Sequence, residues 1–189
     1  MTNQEIDIII KGCNATDRIS QKKLYEVSYI SLASVVALYV KDDSERDWVF
    51  NLGMLKVYNS LNSFAKGTNY LAWARTILVR TAIDHVRSQI KQISMVTSLE
   101  SHHYNQKDEN LEYVLGQLAA DDIIKAIQNL AINEKIVFTL FEIEGYSHRE
   151  IESMTGIKEN TSKWLLNKAK TSLKKYVNLF SKLPNSLQK

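Results

Sequence analysis

The amino-acid sequence predicts an all-α protein, with an N-terminal helix bundle and a C-terminal helix-turn-helix domain joined by a flexible acidic linker. Three observations carry this. The 189 residues contain one proline, Pro184, and six glycines, so few breakers interrupt the chain. Apolar residues recur at three- and four-residue spacing, and no strand-like alternation with hairpin turn signals stands out. Charge is laid out unevenly: Val96 to Asp122 holds six acids against Lys107, whereas Gly156 to Lys189 holds eight lysines against Glu159. These shifts divide the chain into residues 1–93, a linker over 94–120, and residues 121–189.

The first domain reads as three main helices. One runs from about Ser20 to Val40 and is apolar on most sides, as a central bundle helix would be. The next runs from about Ser44 to Leu61 and aligns Phe50, Met54, Val57 and Leu61. The third runs from about Tyr70 to Ile93, with Val79, Ile83, Val86, Ile90 and Ile93 marking its core face. From Ser94 to Ala120 the pattern weakens into a polar stretch with one short helix near Leu111 to Leu118. Four shorter helices follow, near Asp121–Leu130, Asn133–Glu144, Ser147–Thr155 and Thr161–Leu179. Ser147 and Glu150 are spaced as a capping box, and Gly156 supplies the tight turn after the third of these.

Composition narrows the function. Hydrophobic content of 44% with 24% charged residues is that of a globular protein, and a net charge of +3 makes only a weak case for nucleic acid. Cys13 is the single cysteine, so no internal disulfide forms and a reducing cytoplasm fits. Met1 to Gly12 lacks the layout of a signal peptide, and the longest apolar run, Ile30 to Val40, is too short and serine-broken to span a bilayer. The expected protein is cytoplasmic, with no membrane partner. There is no phosphate-cradling glycine loop, nucleophile motif or metal-spaced His/Cys set, so no enzyme, cofactor or metal is expected. His102 and His103 read as solvated histidines of a polar loop.

Two ridges carry the candidate chemistry. On the last helix Lys163, Asn167, Lys170 and Lys174 follow i, i+4, i+7, i+11 spacing, while Leu165 or Leu166, Ala169, Leu173 and Tyr176 can pack inward. In a helix-turn-helix this second helix enters the major groove. There asparagine can pair with adenine, and lysine with guanine edges or phosphates. The alternative is a solvated amphipathic helix with a basic face. On the third helix of the first domain, Trp73, Ile77, Arg80, Asp84, Arg87 and Lys91 share a face. The indole and arginines can stack on unpaired bases and hold phosphates; otherwise Trp73 is core and Arg80, Asp84 and Arg87 form a surface ion-pair ladder.

Together these segments resemble the extracytoplasmic-function group of bacterial sigma factors. Leu61-Asn62-Ser63-Phe64, Tyr70-Leu71-Ala72-Trp73 and Ile83-Asp84-His85-Val86-Arg87 resemble the family's second conserved region. Glu144-Gly145-Tyr146-Ser147, Glu150-Ile151, Gly156-Ile157, Asn160-Thr161-x-Lys163 and Lys168-Ala169-Lys170 resemble its fourth region, which reads the minus-thirty-five element. The likeness runs from about Ser20 to Tyr176.

The resemblance implies that Asp47, Trp48, Phe50, Asn51 and Met54 dock on the clamp coiled coil of core RNA polymerase, with the second domain at its flap. It implies that Trp73, Arg80, Arg87 and Lys91 face the melted minus-ten element. It also places Asn160, Lys163, Asn167, Lys168, Lys170 and Lys174 on promoter DNA, with the acidic linker threading toward the catalytic channel. An anti-sigma factor or an accessory DNA-targeting protein is a further expected partner.

The chain departs from the family pattern at several positions. Gly53 lies mid-helix, Arg80 stands where asparagine is usual, Ala74 replaces a leucine, Glu152 an alanine and Ser162 a valine. Glu152 is expected on the packing side of its helix, where a buried carboxylate would loosen the helix-turn-helix, and arginine for asparagine trades a two-way amide for a donor-only charge. From these changes follows the expectation of an added targeting factor. Rival readings are a helix-turn-helix repressor or activator acting without polymerase, and an interaction adaptor that has lost DNA contact.

Overall fold

The computed structural model describes residues 2–94 and 120–180, and among them every regular element is helical. Residues 95–119 of the expected linker, with the short helix expected near Leu111 and the histidine pair at 102 and 103, lie outside the described residues, and the expected linker ends, Ser94 and Ala120, are helical. The chain divides into two compact units, Met1–Gln92 and Ile93–Lys189.

The first unit opens with a helix that the apolar periodicity does not mark, α1 (Asn3–Asn14). Its signal is local: Thr2 and Glu5 form a reciprocal capping box, the Glu5 carboxylate accepting from the Thr2 amide at 2.8 Å. Ile6, Ile10 and Cys13, at i, i+4 and i+7, bury one stripe against α2 (Arg18–Ala37). Asp17 caps α2 by accepting from the amides of Ile19 and Ser20, and its hydrogen bonds with Ser20 hold its carboxyl below the usual range. Leu24, Leu32, Val35 and Val36 are the buried apolar side of α2, running from its second turn to its C-terminal end.

Asp42 caps α3 (Asp43–Ser60), which buries Val49, Phe50, Gly53, Met54 and Val57. A 3-10 turn, Leu61–Ser63, leads through a short loop to α4 (Tyr70–Ser94). Gly53 answers a packing need: a methyl there would overlap the fully buried Leu78 of α4. The mid-helix glycine costs about 1 kcal/mol of propensity and in return lets α3 and α4 approach closely. Ala74, fully buried on the same helix, is small where a leucine was expected. One polar pair sits inside this core: the Ser28 and Tyr70 hydroxyls lie 2.8 Å apart, and Ser28 also donates to Leu24 O. Burial pushes the Tyr70 phenol far above its ordinary pKa.

The second unit holds α5 (Ala120–Gln128), α6 (Ile132–Phe138), α7 (His148–Thr155) and α8 (Glu159–Phe180). The expected helix to Glu144 is not uniform. After Phe138 it widens into a π turn over Thr139–Ile143, closed by Glu144 N–H to Thr139 O at 3.0 Å. Ser147 and Glu150 form the capping box of α7, and Gly156 ends it in the left-handed conformation at φ 72°. Leu165, Leu166, Ala169 and Leu173 of α8 pack inward with Ile136, Leu140 and Ile151. Among the described residues no helix is long and apolar enough to cross a membrane.

Candidate nucleic-acid and partner interfaces

In the first unit, α3 separates its candidate residues by helical geometry. Asp47, Trp48 and Asn51 are exposed, Trp48 to 55%. Phe50 and Met54, each 1% exposed, belong to the core and are corrected from contact residues to packing residues. At 100° per residue, two positions turn the side chain through about 200°, so Phe50 faces away from Trp48. Leu55, seven residues beyond Trp48, shares its face and is 56% exposed; i+7 spacing was the signal that would have found it. The Trp48 indole leans on the His85 imidazole of α4, ring centroids 5.3 Å apart. His85 Nε2 lies 3.7 Å from Glu45, and Gln89 donates to the same carboxylate at 3.0 Å.

The α4 ridge is mixed. Trp73 is half-buried against Phe64 and Tyr70, with centroids at 5.2 and 6.1 Å, so the indole is partly core and partly open. Arg80 is exposed and Arg87 half-buried. Asp84 pairs with Lys56 of α3 at 3.9 Å, which ties the two helices together in place of the expected ladder along α4. The Lys91 side chain lies outside the described residues.

In the second unit α7, the Gly156 turn and α8 form the helix-turn-helix. Asn160, Lys163, Asn167 and Lys168 are exposed on α8, and Lys170 and Lys174 are half-buried. Several of these lysines already have acidic partners. Lys163 meets Glu159 at 2.6 Å and Lys170 meets Glu142 of the π turn at 2.7 Å. Lys168 reaches Glu134 at 3.0 Å and lies 5.1 Å over the Trp164 ring. The Glu134 side chain is only 5% exposed, so Lys168 neutralises a buried carboxylate. Sequence periodicity gave no sign of that structural role, because the partner lies 34 residues away.

Two departures from the expected pattern find local reasons. Glu152 is exposed, and its carboxylate accepts from the Glu159 amide at 3.1 Å. It caps the N-terminus of α8 from α7, fastening the two-helix angle that it was expected to loosen. Ser162 is buried and lies 2.9 Å from His148 Nδ1. The His148 ring stacks on Phe141 with centroids 4.4 Å apart. Burial, then the Lys163 charge, hold the His148 pKa below its ordinary value, so the ring favours its neutral form.

Comparison with known proteins identifies a family domain in each unit. Residues 24–91 match Sigma-70 region 2, and residues 120–173 match Sigma-70, region 4. No curated protein matches the chain. Among solved structures it is similar to the sigma factor RpoE in complex with the anti-sigma factor NepR from Bartonella quintana. That likeness has a TM-score of 0.52 at 18% identity and covers 84% of this chain and 96% of that one. It is also similar to CnrH in complex with the cytosolic domain of CnrY, with a TM-score of 0.47 at 13% identity over 91% of this chain and 96% of that one. With region 2 and region 4 matched in that order over about two thirds of its residues, on two separate helical units, the chain belongs to the sigma-70 family and has the two-domain organisation of its extracytoplasmic-function group.

Proposed function

We propose that this sigma factor holds core RNA polymerase with the outer face of α3, faces the melted minus-ten element with α4, and reads the minus-thirty-five element with α8. As a sigma-70 family member the chain is an alternative sigma factor acting in transcription initiation. The observation that carries the residue assignment is exposure: an aromatic, Trp48, is exposed on α3 of one unit, and an asparagine, Asn167, on α8 of the other. Exposed tryptophan suits a protein-interface anchor, and asparagine on a groove-entering helix suits bidentate adenine recognition. Arg80 and Arg87 supply charge along the helix that carries the half-buried Trp73 indole, for unpaired bases and their phosphates. The site of action is the cytoplasm, with polymerase. RpoE was solved with an anti-sigma factor, and a partner of that class is part of the proposal.

An accessory DNA-targeting factor is part of the proposal, although Glu152 caps α8 and does not loosen the helix-turn-helix. The favouring observation is that Lys163 and Lys170 are held by Glu159 and Glu142, which compete with phosphates for the same ammonium groups. A tethering partner would restore occupancy by effective concentration. In vitro transcription from a randomised promoter library with purified holoenzyme tests both readings. Transcripts that depend on the chain support the sigma assignment, and association with core polymerase failing altogether overturns it. Strong enrichment of a two-part motif without added protein overturns the accessory factor.

A further inference from the structure

The outer face of α3 is braced from α2. Tyr25 and Tyr29 stack with ring centroids 6.1 Å apart and planes 18° from parallel. Both set edge-on to the buried Phe50, at 5.7 and 5.1 Å. The Tyr25 hydroxyl donates to Asn51 Oδ1 at 2.7 Å, and the Tyr29 hydroxyl reaches Asp47 Oδ1 at a longer 3.4 Å. Asp47 and Asn51 are one turn apart on α3, on the side that carries Trp48. Burial, with smaller contributions from Tyr29 and Asp47, pushes the Tyr25 phenol pKa up, so the hydroxyl keeps its proton at neutral pH.

This geometry orients the asparagine. An exposed amide on a free helix face samples several rotamers and can flip end for end. With its oxygen engaged by Tyr25, the exposed Asn51 amide keeps its NH2 for a partner, and it enters a complex already ordered. Beside it stands the exposed indole of Trp48. A fixed pair of N–H donors next to an apolar anchor suits a partner surface that offers a carboxylate or backbone carbonyls around an apolar recess.

We propose that Tyr25, braced by Tyr29, is a positioning residue that presents the Asn51 amide as a hydrogen-bond donor to core RNA polymerase. The proposal rests on the reading of the outer face of α3 as the polymerase-docking face. It adds to the machinery of that face α2, which the sequence marks only as a central bundle helix. Tyr25→Phe removes the hydroxyl and keeps the ring stack.

The test is a double-mutant cycle on the full chain, measured as the dissociation constant for core polymerase, with a thermal melt of each variant and Trp48→Ala as reference. The loss of one neutral hydrogen bond corresponds to about a two- to tenfold weakening. Tyr25→Phe is expected to weaken binding by that amount with an unchanged melt, and to add nothing in an Asn51→Ala background. Wild-type binding by Tyr25→Phe, a melt lowered in step with the binding, or effects that multiply in the double variant overturn the positioning role. If Trp48→Ala and Asn51→Ala weaken binding and Tyr25→Phe does not, the tyrosine role fails and the docking face stands. If Trp48→Ala and Asn51→Ala both bind as wild type, the docking face itself fails and takes the tyrosine role with it.

Discussion

Single residues in this chain often answer to a partner far away in sequence. Gly53 meets Leu78 across two helices. Gly53→Ala gains helix propensity and overfills the contact with Leu78, which has no exposed side to move toward. Overpacking costs typically 1–3 kcal/mol against a propensity gain of about 1, so a net loss of about 1 kcal/mol is expected in urea denaturation. A stabilised variant would show that Leu78 steps aside. Lys168 is the second such case. Removing it leaves the buried Glu134 carboxylate without its cation and with only a long, 3.4 Å hydrogen bond from Ser172, at about 1–2 kcal/mol after allowance for the half-exposed lysine. Lys163→Ala, which breaks a surface i,i+4 pair, should cost less than about 0.5 kcal/mol. Equal melts for the two variants would remove the distinction.

At the scale of elements, the helix-turn-helix is fastened by polar contacts at both ends of its turn. Glu152 caps α8 from α7, and His148 joins Ser162 while stacking on Phe141 of the π turn. The folded His148 pKa lies below its ordinary 6.5, so as pH falls the unfolded chain takes the proton first. Its contribution to stability is complete above 6.5 and is lost as pH falls from there through the lower folded value. The difference in melting temperature between wild type and His148→Gln should therefore shrink between pH 7 and pH 5, and a constant difference would exclude a titrating role. The π turn also places Glu142 against Lys170. Glu142→Gln should raise DNA affinity and steepen the salt dependence by up to about one unit, since a lysine becomes available to phosphate. An unchanged slope would place Lys170 away from the backbone.

Across the whole molecule, the two faces belong to different units and should fail separately. Trp48→Ala is expected to weaken holoenzyme assembly by about 1–2 kcal/mol or more, as an interface aromatic does, with little change in melting because the indole is exposed. Asn167→Ala should leave assembly intact and relax promoter preference at one base pair, by about 1–3 kcal/mol. Core-binding titrations and transcription on single-substitution promoters measure the two losses. A Trp48 variant that assembles normally but fails at promoters would reverse the assignment of the faces.

Sequence alone was enough for the all-helical class, the capped start of α7, the glycine turn after it and the inward stripe of α8. Each of these follows from local spacing or from the chemistry of one or two neighbouring residues. The same rule accounts for the misses. Thr2 and Glu5 announce α1, but its stripe of three buried residues is too short to stand out as a period. Phe50 and Trp48 are both aromatic and two residues apart, and only the rotation of α3 against its neighbours decides which is core. Glu152 stands where alanine is usual, yet its carboxylate caps a helix that starts seven residues later. Tyr25 and Asn51, 26 residues apart, meet only because α2 packs on α3. Periodicity records which side of a helix is apolar. Which polar groups meet across helices depends on crossing geometry and side-chain reach, and these exist only once the core has closed.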